Sequence, residues 1–221
     1  MTLPPYVVVE GNIGAGKTTL ARMLAERFNH RLVLEEFADN PFLPLFYRDP
    51  ERYAFPVELF FMAERHKQLQ TELASPDLFR QGTVADYLFV KTMLFARNSL
   101  NEQEYRLFSR IYRGMGDAFP HPDLIVYLHR PIDALQRNIR KRGREYEQSI
   151  TDDYLNSVQR VYLDHLRTIT DRPVLLLELG EADFADDPLL FERIVASITG
   201  PLQRGMQTLE FHSLRSSPMR F

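Results

Sequence analysis

The 221-residue sequence contains no cysteine and no tryptophan. The absence of cysteine excludes disulfides, thiolate catalysis and zinc sites built on cysteine ligands. No apolar run approaches the ~18 residues of a membrane-spanning helix, and the first residues do not resemble a secretion signal. Basic residues are not in excess, and a net charge of −3 argues against a surface that coats nucleic acid. We therefore expect a soluble, cytoplasmic protein that binds a small molecule and neither nucleic acid nor membrane.

Five short segments rich in Val, Leu and Ile predict buried strands, at residues 6–9, 31–34, 83–85, 124–128 and 174–177. Helical apolar spacing occurs at residues 18–28, 56–73, 101–118, 132–142, 152–170 and 189–198. We expect Pro56 in a first helical turn and Thr151 as a helix N-cap. This alternation predicts an α/β fold with a five-stranded, doubly wound parallel sheet flanked by helices. We assign residues 1–199 to one domain and residues 200–221 to a C-terminal tail of unknown role.

The N-terminal segment carries a phosphate-loop pattern, G-x-x-x-x-G-K-[ST], between a predicted strand and a predicted helix. Glycines let such a loop turn its backbone N–H groups toward a phosphate, and the helix N-terminus adds partial positive charge. Lys17 is then expected to reach the terminal phosphates and the Thr18 hydroxyl to bind Mg²⁺. The pattern predicts that a nucleoside triphosphate is bound by Gly11, Asn12, Ile13, Gly14, Ala15, Gly16, Lys17, Thr18 and Thr19.

The second predicted strand ends in two adjacent carboxylates, Glu35 and Glu36. A hydroxyl that accepts a phosphoryl group needs a nearby carboxylate that orients it and takes its proton. We take Glu36 as the candidate and Glu35 as the reserve, because the sequence does not define the strand register to one residue. Two solvated glutamates at a strand end are the alternative interpretation.

A cluster of basic residues follows, formed by Arg137, Arg140, Lys141, Arg142 and Arg144. Such a run is usually a solvated helix face. Downstream of a phosphate loop, it can instead close over the triphosphate, supply positive charge to the transferring phosphoryl group and exclude water. In combination with the phosphate loop, the cluster favours an arginine-rich lid.

Three separated segments resemble the deoxyribonucleoside kinase family, in particular its bacterial deoxyadenosine, deoxyguanosine and deoxycytidine kinases. Residues 10–19 resemble the family's phosphate loop, residues 46–58 its Tyr-x-x-Pro-Glu-Arg segment, and residues 142–148 its Arg-Gly-Arg-x-x-Glu-Gln lid. The order and spacing agree from about residue 6 to about residue 198. The resemblance implies the P-loop kinase fold, ATP and Mg²⁺ as cofactors, a homodimer, and phosphorylation of a deoxynucleoside 5′-hydroxyl in nucleotide salvage.

The resemblance also implies roles on the acceptor side of the reaction. Glu36 falls at the family's catalytic base, so Glu36→Gln is expected to keep the fold and lose several orders of magnitude in turnover. Tyr47 and Glu147 fall at the pair that hydrogen-bond the sugar 3′-hydroxyl. Glu58 falls where the family usually has a glutamine that reads the base edge, and Arg65 where some members have an arginine near the base.

On the donor side, the resemblance implies that Arg142 and Arg144 are lid arginines that act in catalysis together with Lys17. Asp183 and Phe184 resemble the Asp-Phe pair that lies near the ATP adenine in the family. These residues complete the predicted ATP site.

Several residues depart from the family pattern. The third strand ends in Asp86-Tyr87, where the family has an arginine at the position of Tyr87. Asp86 is expected to contact Mg²⁺ and substrate, and Lys91 is a candidate for the missing positive charge. Asn138 replaces a lid arginine of several members. Glu58 replaces glutamine, and an ionised glutamate only accepts hydrogen bonds, which favours adenine or cytosine over thymine.

The first half of the sequence is dense in phenylalanine and tyrosine. Most of these rings are expected in the core of the protein. One ring is expected to stack on the nucleobase, and the resemblance points to the stretch around Phe89 and Phe95.

Two other functions are compatible with a phosphate loop. A nucleoside monophosphate kinase of thymidylate kinase type would need cationic groups for an acceptor phosphate, whereas Glu35, Glu36 and Glu58 predict an acidic acceptor pocket. A GTPase-like switch would carry an Asn-Lys-x-Asp motif, which the sequence lacks. We expect phosphorylation of deoxyadenosine or deoxycytidine and retain the monophosphate kinase as the alternative.

Overall fold

A computed structural model describes residues 2–35, 40–73, 77–115 and 119–211. Within these ranges the chain forms a six-stranded sheet of parallel strands, in the order β2-β3-β1-β4-β5-β6, flanked by eight α-helices. The strands are β1 (Tyr6–Gly11), β2 (Arg31–Val33), β3 (Thr83–Ala85), β4 (Leu124–His129), β5 (Pro173–Glu178) and β6 (Gly205–Glu210). The helices are α1 (Lys17–Arg27), α2 (Leu43–Arg48), α3 (Pro50–Leu73), α4 (Lys91–Ser99), α5 (Glu102–Gly114), α6 (Ile132–Arg142), α7 (Asp152–Thr168) and α8 (Pro188–Thr199).

The central strands β1 and β4 are buried almost throughout. Val7, Val8 and Val9 of β1 are inaccessible to solvent, as are Leu124 and Val126 of β4. Helices cover both faces of a parallel sheet, so consecutive residues of a strand are buried on opposite faces. This explains why the strands are continuous apolar runs in the sequence.

The direction in which strands are added reverses between β1 and β4. β3 and β2 lie on one side of β1, and β4, β5 and β6 lie on the other. At the carboxyl ends of these strands, Gly11 pairs with Leu128 and Val33 pairs with Ala85. The segments that follow the strands β1, β2, β3 and β4 therefore meet at one edge of the sheet, where open α/β folds bind their ligands.

Local signals define the helices beside this edge. α6 begins after Pro131 and ends at Gly143, whose φ of 71° is in the left-handed region that glycine adopts readily. The Thr151 side chain caps α7 by accepting a hydrogen bond from the backbone N–H of Tyr154 at 3.2 Å. The predicted bounds of α6 and the predicted N-cap of α7 are confirmed.

The predicted number of strands is wrong by one. β6 lies inside the segment 200–221 that the sequence analysis assigned to a tail, so the sheet extends beyond residue 199. Its residues are partly or fully exposed at the edge of the sheet. A strand that buries so little has no apolar run, which is the signal used for the other strands.

The helices also differ from expectation. α3 begins at Pro50, so Pro56 lies in the helix interior and removes one backbone hydrogen bond there. α3 packs against α2 and α4, and Ala54 and Val57 on either side of Pro56 lie in a buried cluster with Phe46 of α2. The short helices α2 and α4 were not predicted, since α2 has six residues and α4 has no side-chain cap. In the described part of the chain, no helix has both the length and the apolar character needed to cross a bilayer.

Candidate active site

The phosphate loop connects β1 to α1 at the carboxyl edge of the sheet. Gly14 and Gly16 have φ values of 80° and 100°, which orient the loop backbone in a way that residues with a Cβ rarely adopt. α1 begins at Lys17, so the loop N–H groups lie at a helix N-terminus. The Lys17 ammonium donates a hydrogen bond to the carbonyl oxygen of Asn12 at 3.0 Å. This arrangement can hold a triphosphate.

Neighbouring segments hold this loop in place. Asn138 of α6 donates from Nδ2 to the Gly14 carbonyl oxygen at 2.8 Å. Asn12 donates from Nδ2 to the carbonyl oxygen of Leu155 at 2.8 Å. Arg130, which follows β4, donates from Nε to the Ala15 carbonyl oxygen at 3.1 Å. Asn138 thus contacts the phosphate loop.

We expect Gly14→Ala to raise the KM for ATP at least about tenfold with a smaller effect on folding stability. A Cβ at this position would lie 2.8 Å from the Leu135 carbonyl oxygen, and the φ of 80° is strained for alanine. The loop would have to shift away from α6. Steady-state kinetics with varied ATP and a thermal melt check this, with Gly114→Ala as the control because a Cβ there meets no atom within 4 Å. An unchanged KM for ATP would contradict the assignment of the loop.

The donor cavity lies outside the phosphate loop, between α6 and the segment after β5. It contains about 1280 Å³ of empty space, including its opening to solvent. Lys17 and Thr18 line its inner end, and Asp183 and Phe184 line its wall. The Arg130 guanidinium lies 5.9 Å from the centre of the Phe184 ring. Gly14, Gly16 and residues 17–19 of the predicted phosphate site therefore share one cavity with Asp183 and Phe184. The other predicted loop residues, Gly11, Asn12, Ile13 and Ala15, do not line this cavity.

The acceptor cavity lies on the other side of Lys17, between α2, α3, α4 and α7. It contains about 650 Å³ of empty space, including its opening. Five of the predicted acceptor-side residues line it, namely Glu35, Tyr47, Glu58, Arg65 and Glu147. Asp86, which was also predicted to contact substrate, does not line this cavity, whereas Ile13 of the phosphate loop does. A cavity of this size suits a small ligand such as a nucleoside.

The two cavities meet at three cationic side chains. Lys17, Arg142 and Arg144 line both the donor cavity and the acceptor cavity. Burial and the neighbouring Lys91 lower the pKa of the Lys17 ammonium to about 8. Cations at such a junction can neutralise charge on a phosphoryl group that passes from one cavity to the other.

Glu35 is the carboxylate on the acceptor side of this junction. It is buried and contacts Lys91, and its Oε1 lies 2.8 Å from Nε and 2.7 Å from Nη2 of Arg65. Burial raises the pKa of the Glu35 carboxyl, but Lys91 and Arg65 outweigh that effect, and the pKa lies below its usual value. Glu35 is therefore ionised at neutral pH. The preferred candidate from the sequence, Glu36, lies outside the described residues.

Asp86 links the phosphate loop to Glu35. Its Oδ2 accepts a hydrogen bond from the Thr18 hydroxyl at 2.6 Å, and its Oδ1 accepts one from the Glu35 backbone N–H at 2.7 Å. In the described residues, no group of three His, Asp or Glu side chains could hold a metal ion by itself. Two hard oxygen ligands beside a phosphate site fit Mg²⁺, which usually keeps several waters and binds substrate phosphates.

Tyr47 and Glu147 both line the acceptor cavity. Glu147 contacts Arg142 and lies 3.2 Å from Arg144, so both lid arginines share one carboxylate. The Tyr47 ring stacks on Tyr146 with centroids 6.2 Å apart. Burial, with Tyr154 and Glu147 nearby, raises the pKa of the Tyr47 hydroxyl far above its usual value. Tyr47 therefore stays a hydrogen-bond donor.

Glu58 lies on α3 at the inner wall of the acceptor cavity and is only 2% exposed. Its Oε2 has no hydrogen-bond partner among the described residues. Burial raises the pKa of its carboxyl to about 7, and the charge of Arg65 opposes part of that rise. A buried oxygen without a partner is costly unless a ligand supplies the partner.

The sequence matches the "Deoxynucleoside kinase" family model over residues 7–202. This chain belongs to the deoxynucleoside kinase family. It is 33% identical over 204 residues to a deoxyguanosine kinase of Bacillus subtilis (strain 168), covering 90% of this chain and 98% of the relative. It is 30% identical to a deoxyadenosine/deoxycytidine kinase of the same organism, covering 87% of this chain and 90% of the relative. The structure of deoxyadenosine kinase from M. mycoides with bound dATP superposes with a TM-score of 0.74 at 19% identity, covering 88% of this chain and 100% of that one, which shows a shared fold.

In this deoxynucleoside kinase, Lys91 lies next to the Glu35 carboxylate, and its replacement of the family's arginine stays a prediction. Tyr87 is buried, and its hydroxyl donates a hydrogen bond to Oε1 of Gln68 at 2.7 Å. Lys91, the first residue of α4, contacts Glu35 instead. The positive charges next to Glu35 are those of Lys91 on α4 and Arg65 on α3.

The aromatic residues divide between two places in the kinase. Phe95 lines the acceptor cavity, as does Phe61, over which the Arg65 guanidinium lies at 5.0 Å. Phe89 instead stacks on Tyr112 with centroids 4.9 Å apart, away from this cavity. Of the two rings suggested by the resemblance, the structure places Phe95 at the acceptor site.

The sequence reasoning did not single out several residues at the two cavities, among them Arg130, Tyr154 and Phe61. Arg130 directly follows β4, and its position at the carboxyl edge of a central strand was a usable signal. Tyr154 and Phe61 line the acceptor cavity from α7 and α3. Their positions depend on how the helices pack, which a helical spacing pattern alone does not specify.

Proposed function

We propose that this deoxynucleoside kinase transfers the γ-phosphoryl group of ATP to the 5′-hydroxyl of a deoxyribonucleoside. The observation that carries the proposal is the junction of the donor and acceptor cavities at Lys17, Arg142 and Arg144, with Glu35 on the acceptor side. A nucleoside in the acceptor cavity would present its 5′-hydroxyl to a triphosphate held by the phosphate loop. The proposal combines this geometry with membership of the family.

Glu35 is the proposed base of this reaction. The 5′-oxygen forms a bond to the γ-phosphorus as the bond from that phosphorus to ADP breaks, and the hydroxyl proton passes to the Glu35 carboxylate. Phosphoryl transfer has a loose transition state, so orienting the hydroxyl contributes more than base strength. An ionised carboxylate fixed by Arg65 and Lys91 suits that task.

Mg²⁺ is assigned to Thr18 and Asp86 together with the phosphates of the nucleotide. When bound, the ion would neutralise charge on the β- and γ-phosphates. The proposed sugar contacts are Tyr47, which donates, and Glu147, which accepts, in the wall of the acceptor cavity. The homodimer stays a prediction from the family resemblance. The cytoplasmic location stays a prediction from the composition.

Glu58 is the proposed contact to the base. As an ionised carboxylate it favours a base that presents amino groups, so deoxyadenosine and deoxycytidine are favoured over thymidine. Guanine also carries an amino group, and similarity to a deoxyguanosine kinase adds deoxyguanosine to the proposed substrates. The family and the relatives give no support to the nucleoside monophosphate kinase alternative.

A nucleoside panel with ATP and Mg²⁺ tests the proposed function. The panel contains the four common deoxynucleosides and the 5′-monophosphates of deoxyadenosine and thymidine. We expect 5′-monophosphate formation from the nucleosides, with thymidine the poorest substrate, and no diphosphate from the monophosphates. Faster turnover of a monophosphate than of every nucleoside would contradict the proposal, and comparable turnover of thymidine and deoxyadenosine would remove the role of Glu58.

A further inference from the structure

Glu10 is a buried carboxylate to which the proposed reaction gives no role. It lies in β1, directly after the apolar residues Val7, Val8 and Val9, and is inaccessible to solvent. Burying a carboxyl group costs free energy unless its oxygens are hydrogen-bonded. Glu10 also directly precedes Gly11, the first glycine of the phosphate loop. Its hydrogen bonds therefore show what a carboxylate contributes at this position.

Donors from three segments meet at the two oxygens of Glu10. The Leu88 backbone N–H donates to Oε1 at 2.7 Å. The Gly11 backbone N–H donates to Oε2 at 3.3 Å, and the Tyr162 hydroxyl of α7 donates to Oε2 at 3.0 Å. Backbone N–H groups only donate, so both oxygens of this side chain must accept. A glutamine has one acceptor oxygen and would turn its NH₂ group toward one of these N–H groups.

The contact with Leu88 fixes the start of α4. Leu88 lies in the connection between β3 and α4, and its carbonyl oxygen accepts a hydrogen bond from the Lys91 backbone N–H at 3.0 Å. Leu88 is thus bonded through its N–H to β1 and through its carbonyl oxygen to the first residue of α4. The Lys91 side chain in turn contacts the Glu35 carboxylate. A series of contacts therefore joins Glu10 to the proposed base.

The residues before Leu88 are attached to other elements of the fold. The Asp86 backbone N–H donates to the Val33 carbonyl oxygen of β2 at 3.1 Å, and the Asp86 side chain binds Thr18 of α1. Tyr87 donates to Gln68 of α3. Glu10 attaches the next residue of the connection to the strand that leads into the phosphate loop.

The charges around Glu10 come from both sides of the reaction. Lys17 lines both cavities, and Lys91 lines the acceptor cavity. Burial raises the pKa of the Glu10 carboxyl above its usual value, and the charges of Lys91 and Lys17 oppose part of that rise. Glu10 itself lines neither cavity. It therefore lies behind the junction of the two cavities and does not contact a substrate in either of them.

We propose that Glu10 is a positioning residue that sets the distance between the Glu35 carboxylate and the bound triphosphate, by tying the start of α4 to the end of β1. This inference rests on the proposed function and adds a residue that touches neither substrate. A misplacement of about 1 Å can reduce turnover about 10²-fold, because the reacting groups no longer reach an attack geometry. The effect is expected in kcat, since each cavity keeps its own lining residues.

Glu10→Gln tests the inference in the full-length enzyme, with ATP, Mg²⁺ and the most active deoxynucleoside of the panel. We expect kcat for the nucleoside 5′-monophosphate to fall by about 10²-fold, while the Kd values for ATP and for the nucleoside change much less. Tyr127→Phe is the control. Tyr127 lies beside Glu10 in the β1–β4 register, and its buried hydroxyl has no hydrogen-bond partner among the described residues. Its kcat should stay near that of the unaltered enzyme.

A double-mutant cycle with Glu35→Gln separates positioning from general damage to the fold. If Glu10 acts through Glu35, Glu10→Gln should cost little more in the Glu35→Gln background, because the placement of an inactive base no longer matters. A residue that only supports the fold would multiply the two losses. Glu10→Asp keeps two acceptor oxygens on a shorter side chain, and its kcat should lie between those of the unaltered enzyme and Glu10→Gln.

The outcomes separate the inference from the proposed function. A near-normal kcat in Glu10→Gln, or losses that multiply in the double variant, would overturn the inference and leave the proposed function standing. Loss of the fold in both Glu10→Gln and Glu10→Asp, seen in thermal melts, would also overturn it, because Glu10 would then be needed for folding. If the unaltered enzyme phosphorylates no deoxynucleoside, the proposed function itself fails.

Discussion

Glu35→Gln is expected to lower kcat by about 10²–10⁴-fold while the KM for the nucleoside changes much less. The amide keeps the size of the carboxylate but cannot take the proton of the 5′-hydroxyl. Glu35 lies at the junction where Lys17 and the lid arginines line both cavities. Steady-state kinetics with a saturating deoxynucleoside and ATP measure the loss.

Glu36→Gln is the matched comparison, because the sequence analysis preferred Glu36. If Glu35 is the base, Glu36→Gln retains a kcat within a few-fold of that of the unaltered enzyme. A large loss in Glu36→Gln together with a near-normal Glu35→Gln would return the role to Glu36. The two variants differ by one residue in the same segment, so general damage to the segment would affect both.

Stability must be measured alongside turnover, because Glu35 also balances buried positive charge. Removing its charge leaves Lys91 and Arg65 without this partner, and breaking a buried ion pair in this way costs about 3–5 kcal/mol. The double variant Glu35→Gln/Lys91→Met removes one of the two cations. We expect it to recover part of the lost melting temperature and none of the lost kcat, which separates catalysis from folding.

Arg142→Gln is expected to reduce kcat by about 10³-fold, since an arginine that stabilises charge on a transferring phosphoryl group contributes about 10³–10⁵-fold. Arg142 lines both cavities and contacts Glu147 in the structure. To act on the phosphates, the Arg142 guanidinium would have to give up part of its contact with Glu147 and bind the nucleotide instead. Kinetics and an ATP-binding measurement together show whether the loss lies in kcat or in binding.

Arg140→Gln provides the control for this prediction. Arg140 lies on the same helix, is exposed and lines neither cavity. Its replacement should leave kcat within about two-fold of that of the unaltered enzyme, as exposed charges away from a site contribute little. Equal losses of kcat in Arg142→Gln and Arg140→Gln would mean that the basic cluster acts only through its total positive charge. No single arginine would then reach the phosphoryl group.

Contiguous signals allowed the phosphate loop and α6 to be predicted from the sequence. The loop pattern spans eight residues, from Gly11 to Thr18, and α6 is bounded by Pro131 and Gly143. Such features depend on local backbone geometry, so the residues that specify them lie within the feature itself. β6 was missed because an exposed edge strand needs no apolar run.

The acceptor side was less predictable because it depends on packing between distant segments. Glu35 follows β2, Arg65 lies on α3 and Lys91 begins α4. The two ion pairs of Glu35 join residues 30 and 56 positions apart. No periodicity specifies which of two adjacent glutamates faces inward. A strand that shifts by one residue exchanges the faces of all its side chains, so the sequence alone does not specify which of Glu35 and Glu36 faces the cavity.

A crystal structure with deoxyguanosine, Mg²⁺ and a non-hydrolysable ATP analogue would test the central claim most directly. The measured quantity is the distance from the nucleoside 5′-oxygen to the nearest carboxylate oxygen. We predict a Glu35 oxygen at about 2.6–3.2 Å, with the γ-phosphate on the opposite side of the 5′-oxygen. A nucleoside bound elsewhere, or a 5′-hydroxyl bound by a different carboxylate with Glu35 still turned to Arg65 and Lys91, would contradict it.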